Sequence, residues 1–167
     1  LGMLARQRGG QPAAIALCRQ SLAIEPRQPH VLNNLGNACA ATGQQEQAME
    51  AYGKALALKP DYADADINRA LALIALGRAS QAAEHMAALV RAQPGSARAW
   101  AVRGQALAAM GDQAQAVMAY GRALTLQPDH GPWLHNLAVA LRLAGRPEQS
   151  LPLFDRSAAL SPEDPRI

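Results

Sequence analysis

Three kinds of residue recur along the chain at a fixed interval of 34 positions. Proline recurs at Pro26, Pro60, Pro94, Pro128 and Pro162. Glycine recurs at Gly9, Gly43, Gly77, Gly111 and Gly145. Small residues recur at Ala14, Ala48, Ala82, Ala116 and Ser150. No insertion or deletion interrupts these series within the 167 residues, so the sequence predicts an array of repeated units.

Each unit contains helix-ending residues at the two positions where a helix hairpin needs them. Helix-compatible stretches such as residues 30–42 lie between a proline and the next glycine, and others such as residues 45–58 lie between a glycine and the next proline. Glycine accepts the left-handed conformation that ends a helix, and proline cannot continue the hydrogen-bond ladder. We therefore expect an all-α chain of antiparallel helix hairpins.

The composition suits a thin core between such helices, because 50% of the residues are hydrophobic but only 4% are aromatic. The small residues that begin each second helix are expected to face small residues of the first helices, namely Gly2, Gly36, Ala70, Gly104 and Ala138. Larger residues at helical spacing predict one buried seam. They are Leu32, Trp100, Leu134, Cys39, Leu73, Leu107, Leu141, Tyr52, Met86, Tyr120 and Phe154.

These columns resemble the tetratricopeptide repeat (TPR) family, whose pattern is W-x2-L-G-x2-Y, then A-x3-F, then P. One unit follows it with Trp100, Gly104, Leu107, Ala116, Tyr120 and Pro128, and another with Leu32, Leu35, Gly36, Ala48, Tyr52 and Pro60. The resemblance covers nearly the whole chain. It implies a right-handed superhelical solenoid in which first helices line the concave side.

Five residues depart from this pattern. Asp66 stands where a large apolar residue is usual, Arg69 and Arg103 stand where leucine is usual, and Leu89 stands where alanine is usual. Pro152 lies inside the last helix, where proline costs about 3 kcal/mol, so we expect a kink or fraying there.

The register divides the chain into a partial first repeat at 1–28, four repeats at 29–62, 63–96, 97–130 and 131–164, and at 165–167 the start of a further repeat or a tail. Leu1 and Gly2 fall in the middle of a first helix, and no polar capping helix follows Pro162. Solenoids need polar caps at both ends. We therefore expect a fragment of a longer protein whose uncapped ends self-associate; the alternative is a complete domain with frayed ends.

The face opposite the buried seam is mixed polar and apolar, which favours a peptide ligand. Its candidate binding residues are Asn33, Asn34, Asn37, Asn68, Leu71, Arg98, Val102, Gln105, His135 and Asn136.

Two resemblances sharpen this prediction. Asn34, Asn68 and Asn136 share one column, interrupted by Val102, and resemble the asparagine ladder of O-linked N-acetylglucosamine transferases, which grips a peptide backbone. Asn37, Asn68 and Arg98 instead match three positions of the carboxylate clamp of chaperone-binding TPR domains. That clamp is incomplete, because Asn33 and Val102 stand where cations are expected. A third hypothesis is that the asparagines simply bridge neighbouring helices.

No catalytic, phosphate-binding or cofactor motif is present, so we expect no cofactor and no enzymatic activity within these residues. His130 and His135 have no nearby cysteine to complete a zinc site, and Cys18 and Cys39 fall in core columns, where reduced thiols are expected. The arginines are dispersed among acids, which argues against a nucleic-acid surface. The longest apolar run, residues 70–76, is far shorter than a membrane span.

The sequence therefore predicts a cytoplasmic protein-interaction module that binds an extended peptide or a partner helix in its concave groove. The alternative is the N-terminal, substrate-recruiting TPR region of a bacterial enzyme, such as a glycosyltransferase, a sulfotransferase or a 2-oxoglutarate-dependent oxygenase.

Overall fold

The computed structural model describes the backbone of residues 2–160 and the side chains from residue 10 onward. Within that part of the chain it contains nine α-helices and no strand. The helices are α1 (Gly2–Ile24), α2 (Pro29–Ala41), α3 (Gln45–Leu58), α4 (Ala63–Ala75), α5 (Ala79–Ala92), α6 (Ala97–Ala109), α7 (Gln113–Leu126), α8 (Gly131–Leu143) and α9 (Pro147–Leu160). The prediction of an all-α chain is confirmed.

The described residues form two compact units, which divide between Arg78 and Ala79. In the first unit α1 packs on α2, α2 on α3 and α3 on α4, and α2 also approaches α4. In the second unit α5 to α9 pack in the same sequential way, and α6 approaches α8. Helices therefore pack mainly on their neighbours in sequence, as a hairpin array requires. Each predicted repeat from 29 to 164 contains two of the helices, while the boundaries themselves stay a prediction.

The glycine column ends helices as expected at four positions. Gly43, Gly77, Gly111 and Gly145 have φ values of 79°, 74°, 83° and 75°, which side chains rarely tolerate. At the first of them the Gly43 amide donates to the Ala40 carbonyl (3.0 Å) and the Gln44 amide donates to the Cys39 carbonyl (2.9 Å). This pair of bonds is the Schellman motif, which satisfies carbonyls at the helix end and reverses the chain.

The prediction is wrong at Gly9, because α1 continues from Gly2 to Ile24 without a turn. Pro12, which suits the start of a second helix, lies inside this continuous helix. Helix α1 can continue through Gly9, because glycine inside a helix costs only about 0.5–1 kcal/mol relative to alanine and does not prevent helical dihedral angles.

The predicted seam forms the core of both units. Tyr52, Leu73, Met86, Leu134 and Cys39 are among the most fully buried side chains. Trp100 and Phe154 are half-buried. The Trp100 indole nitrogen donates to the Pro94 carbonyl (3.0 Å), which fixes the ring at the edge of the second unit's core.

Small residues make room for aromatic rings. Ala48, Ala82 and Ala116 are completely buried, as expected. The nearest atoms to a Cβ placed on Gly36 belong to the Tyr52 ring, so this glycine accommodates the tyrosine that follows Ala48 by one helical turn.

The departures from the family pattern do not interrupt helices. Arg69 and Arg103 are half-buried, and the Nε atom of each is buried without a hydrogen-bond partner in the described part of the chain. The expected fraying at Pro152 is wrong, since α9 continues to Leu160. Ser157, which is fully buried, donates to the Gly131 carbonyl (2.7 Å) and ties α9 to α8 beyond the proline.

Candidate functional site

The first unit carries the predicted peptide-binding residues on two neighbouring first helices. Asn33, Asn34 and Asn37 lie on α2, and Asn68 and Leu71 lie on α4. We call these five residues the asparagine face. Asn34 and Asn37 are exposed, Asn68 and Leu71 are half-buried, and Asn33 is only 6% exposed.

Three of the asparagine side chains converge. The Asn68 amide nitrogen donates to the Asn33 Oδ1 atom (3.1 Å) and to the Asn37 Oδ1 atom (3.0 Å). Asn33 and Asn37 are one helical turn apart, so both reach the same side chain on α4. The predicted column therefore bonds differently from a simple ladder: Asn68 bridges two helices, as the third hypothesis expected, and Asn34 lies beside this bridge.

A tyrosine from the core completes the network. The Tyr52 hydroxyl on α3 donates to the Asn37 Oδ1 atom at 2.8 Å. Asn37 Oδ1 thus accepts two hydrogen bonds, which is the capacity of an amide oxygen. The Asn37 amide nitrogen, by contrast, has no hydrogen-bond partner among the described residues. The network therefore presents a donor at an exposed position.

A histidine–tyrosine pair lies at the N-terminal end of α2. The His30 Nδ1 atom and the Tyr62 hydroxyl are 3.0 Å apart, and the two rings meet edge to face with centroids 5.0 Å apart. The Lys59 Nζ atom lies 5.1 Å from the Tyr62 ring centroid, within cation–π range. Sequence reasoning missed this group, because the two partners of His30 come from the loop before α4.

The second unit carries the remaining predicted residues. Arg98 and Gln105 are exposed on α6, whereas Val102 between them is only 6% exposed. His135 and Asn136 are half-buried on α8. The His135 ring meets Phe154 edge to face with centroids 5.4 Å apart, and its Nδ1 atom is buried without a hydrogen-bond partner in the described chain. Val102 and His135 therefore contribute to the packing between helices.

The groups with shifted pKa values discussed next are not among the predicted peptide-binding residues. Burial lowers the pKa of His130, whose ring stacks on Trp133 with centroids 3.7 Å apart. Burial also raises the pKa of the Cys39 thiol and that of the Tyr120 hydroxyl. Cys18 and Cys39 are both free thiols. None of these groups is paired with a base and an orienting group in the way that nucleophilic catalysis requires.

Within residues 2–160 no group of three metal-ligating side chains is positioned to hold a metal ion. The helices described there also include none that is long and apolar enough to cross a lipid bilayer.

Serial helix hairpins with polar side chains on the first helices define the chain as a helical-repeat protein. Comparison with known families specifies which kind. A family model described as "TPR repeat" matches residues 36–77, and one described as "Tetratricopeptide repeat" matches residues 67–130 and 103–165. The chain belongs to the tetratricopeptide repeat family.

Solved structures share the fold over nearly the whole chain. A MamA crystal structure has a TM-score of 0.78 at 18% identity, covering 97% of this chain and 95% of MamA. MamA from Desulfovibrio magneticus RS-1 has a TM-score of 0.80 at 21% identity, covering 98% and 94%. TTC0263, a thermophilic TPR protein of Thermus thermophilus, has a TM-score of 0.81 at 24% identity, covering 98% and 90%. No curated protein gave a significant sequence match.

Proposed function

We propose that the chain is a protein-interaction scaffold that binds an extended peptide on the asparagine face. The observation that carries this proposal is the hydrogen bonding of the Asn37 side chain. Its oxygen is saturated by Tyr52 and Asn68, while its exposed amide nitrogen has no partner among the described residues. An amide nitrogen held in this way suits a peptide carbonyl, which is present at every residue of a ligand whatever its side chains.

Asn34 supplies the second contact. It is exposed on α2 and offers both a donor and an acceptor. Each hydrogen bond to a ligand contributes about 0.5–1.5 kcal/mol, whereas micromolar affinity needs about 8 kcal/mol. Asn34 and Asn37 therefore orient the peptide backbone, and apolar contacts such as Leu71 supply most of the binding free energy.

A corresponding stretch lies on the first helices of the second unit. Arg98 and Gln105 are exposed on α6, and Asn136 is half-buried on α8. These side chains suit a polar peptide segment.

The test is selection of dodecapeptides by phage display on the full chain, followed by calorimetry with a selected peptide. Asn34→Ala and Asn37→Ala are each expected to weaken binding about two- to twelve-fold. Gln81→Ala, which removes an exposed amide on α5, is the matched control and should leave the affinity unchanged. Unchanged affinity in both asparagine variants would show that peptides do not bind at this face.

A further inference from the structure

A second candidate site lies on the other side of α6. Residues 98, 102 and 105 share one side of this helix, and at 100° per residue Trp100 and Arg103 point to the opposite side. There Trp100 and Arg103 line a cavity of about 330 Å³ together with Gln115, Met118, Ala119 and Arg122 of α7. The cavity lies wholly within the second unit.

The charged side chains that line this cavity are all positive. Arg103 and Arg122 line it, and no acidic residue does. Neither arginine has an ion-pair partner in the described part of the chain. The Arg103 Nε atom is buried and has no hydrogen-bond partner there. A half-buried guanidinium group without a counter-ion is costly, and a carboxylate that binds the accessible part of the group would offset that cost.

The apolar part of the cavity is also arranged for a ligand. The Arg103 guanidinium carbon lies 5.5 Å from the Trp100 ring centroid, so the ring orients the charge. The Trp100 indole nitrogen is already bonded to Pro94, which leaves the ring as an apolar surface. At the rim Met118 is 74% exposed, and methionine is a side chain that adapts to varied peptide ligands.

The chain contains an internal comparison, because a cavity of about 670 Å³ lies at the equivalent place two repeats earlier. Leu32, Leu35 and Glu50 stand there in place of Trp100, Arg103 and Met118, and Lys54 stands in place of Arg122. Lys54 is paired with Glu50 at 2.6 Å. In the earlier cavity one of the two cations is therefore ion-paired, and the other, Arg19, donates to the Gln47 side-chain oxygen (2.9 Å), whereas neither cation of the later cavity has an ion-pair partner in the described part of the chain. The difference is not required by the fold, since both repeats form the same hairpin.

We propose that the Trp100–Arg103–Arg122 cavity binds a partner-protein segment in which a carboxylate side chain is followed by an aliphatic one. The carboxylate lies between the two guanidinium groups, where a bidentate contact is available, and the aliphatic side chain lies against Trp100 and Met118. The volume is at the lower end of that of ligand pockets and accommodates such a pair of side chains.

The experiment uses the full chain labelled with ¹⁵N and with ¹³C at the methionine methyl groups. The probe is acetyl-Asp-Leu-amide, and its uncharged isostere is acetyl-Asn-Leu-amide. The acidic probe is expected to shift the Trp100 indole and Met118 methyl signals saturably and not the Trp133 indole. The isostere should bind at least about ten-fold more weakly, because each charge-assisted hydrogen bond that it loses is among the stronger contacts.

Arg103→Leu recreates the Leu35 arrangement and should abolish the preference for the acidic probe, whereas Arg142→Leu, which removes an exposed charge on α8, should preserve it. Equal binding of probe and isostere to the unaltered chain, or an undiminished preference in Arg103→Leu, would overturn the proposal. So would equally tight binding of 4-methylpentanoate, which would identify a site for small carboxylic acids. These outcomes are independent of the asparagine face, because Asn34 and Asn37 take no part.

Discussion

The Tyr52 ring occupies the space that a side chain at Gly36 would need. A Cβ atom on Gly36 would lie 2.8 Å from the Tyr52 Cζ atom, and Tyr52 is only 2% exposed, so the ring has little room to move. Gly104 and Tyr120 repeat the pairing 68 residues later with more room, since all three nearest ring atoms lie 3.0 Å away. A glycine in mid-helix is therefore tolerated for close packing against a tyrosine.

Gly36→Ala is expected to destabilise the protein by about 1–3 kcal/mol, because the new methyl group overpacks the core. Gly104→Ala should destabilise the protein less, since the Tyr120 ring must move less to accept the new methyl group. The measurement is the free energy of unfolding from urea titration followed by circular dichroism.

Gly53→Ala and Gly121→Ala are the matched controls. Both glycines lie inside helices, and nothing lies within 4 Å of a Cβ added at either position. Each substitution should stabilise the protein by about 0.5–1 kcal/mol through helix propensity alone. If Gly36→Ala stabilises as much as Gly53→Ala does, then Tyr52 does not fill this space.

Tyr52→Phe should cost about 0.5–1.5 kcal/mol, because it removes the hydrogen bond from the Tyr52 hydroxyl to Asn37. Tyr120→Phe is the control. Tyr120 occupies the same place in its repeat, but it has no hydrogen-bond partner among the described residues. The free energies of unfolding of both variants decide the matter, and equal losses would mean that the hydroxyl of Tyr52 contributes nothing through Asn37.

The interval of 34 residues was sufficient to predict the helices, because Gly43 and its equivalents need a left-handed conformation wherever they end a helix. It was insufficient at Gly9, where the glycine continues a helix instead of ending one. The spacing also placed Asn34 and Asn68 in one column but did not show which amides bond, because that depends on the offset between α2 and α4. The spacing of Asn33 and Asn37, one turn apart, was the available signal. Arg103 appeared only as an exception to the pattern, since the charge balance of its cavity depends on side chains from α7.

Pro152→Ala should stabilise α9 by up to about 3 kcal/mol, because alanine restores an amide hydrogen in the helix interior and removes the steric clash of the ring. Pro152 is exposed, so no core contact is lost. Urea titration measures the gain. Pro147→Ala, at the first position of the same helix, should give none, since a first-turn amide has no partner within the helix. Equal effects of the two substitutions would contradict this account.

His130 should make the stability of the protein fall between pH 7.5 and pH 5.5. Burial lowers the pKa of His130 below its ordinary value of 6.5, so the folded protein binds this proton less readily than the unfolded chain does. As the pH falls through about 6.5, the unfolded state gains a proton that folded His130 resists, and stability is lost. His130 also occupies the N-cap position of α8, without a side-chain hydrogen bond to the helix, and an added positive charge is unfavourable at a helix N-terminus. His130→Asn places a favoured N-cap residue at this position and removes the titration. The free energy of unfolding of this variant should therefore decline less than that of the unaltered protein over the same pH range, while the other histidines contribute equally to both. Parallel pH profiles would show that His130 is not the group responsible.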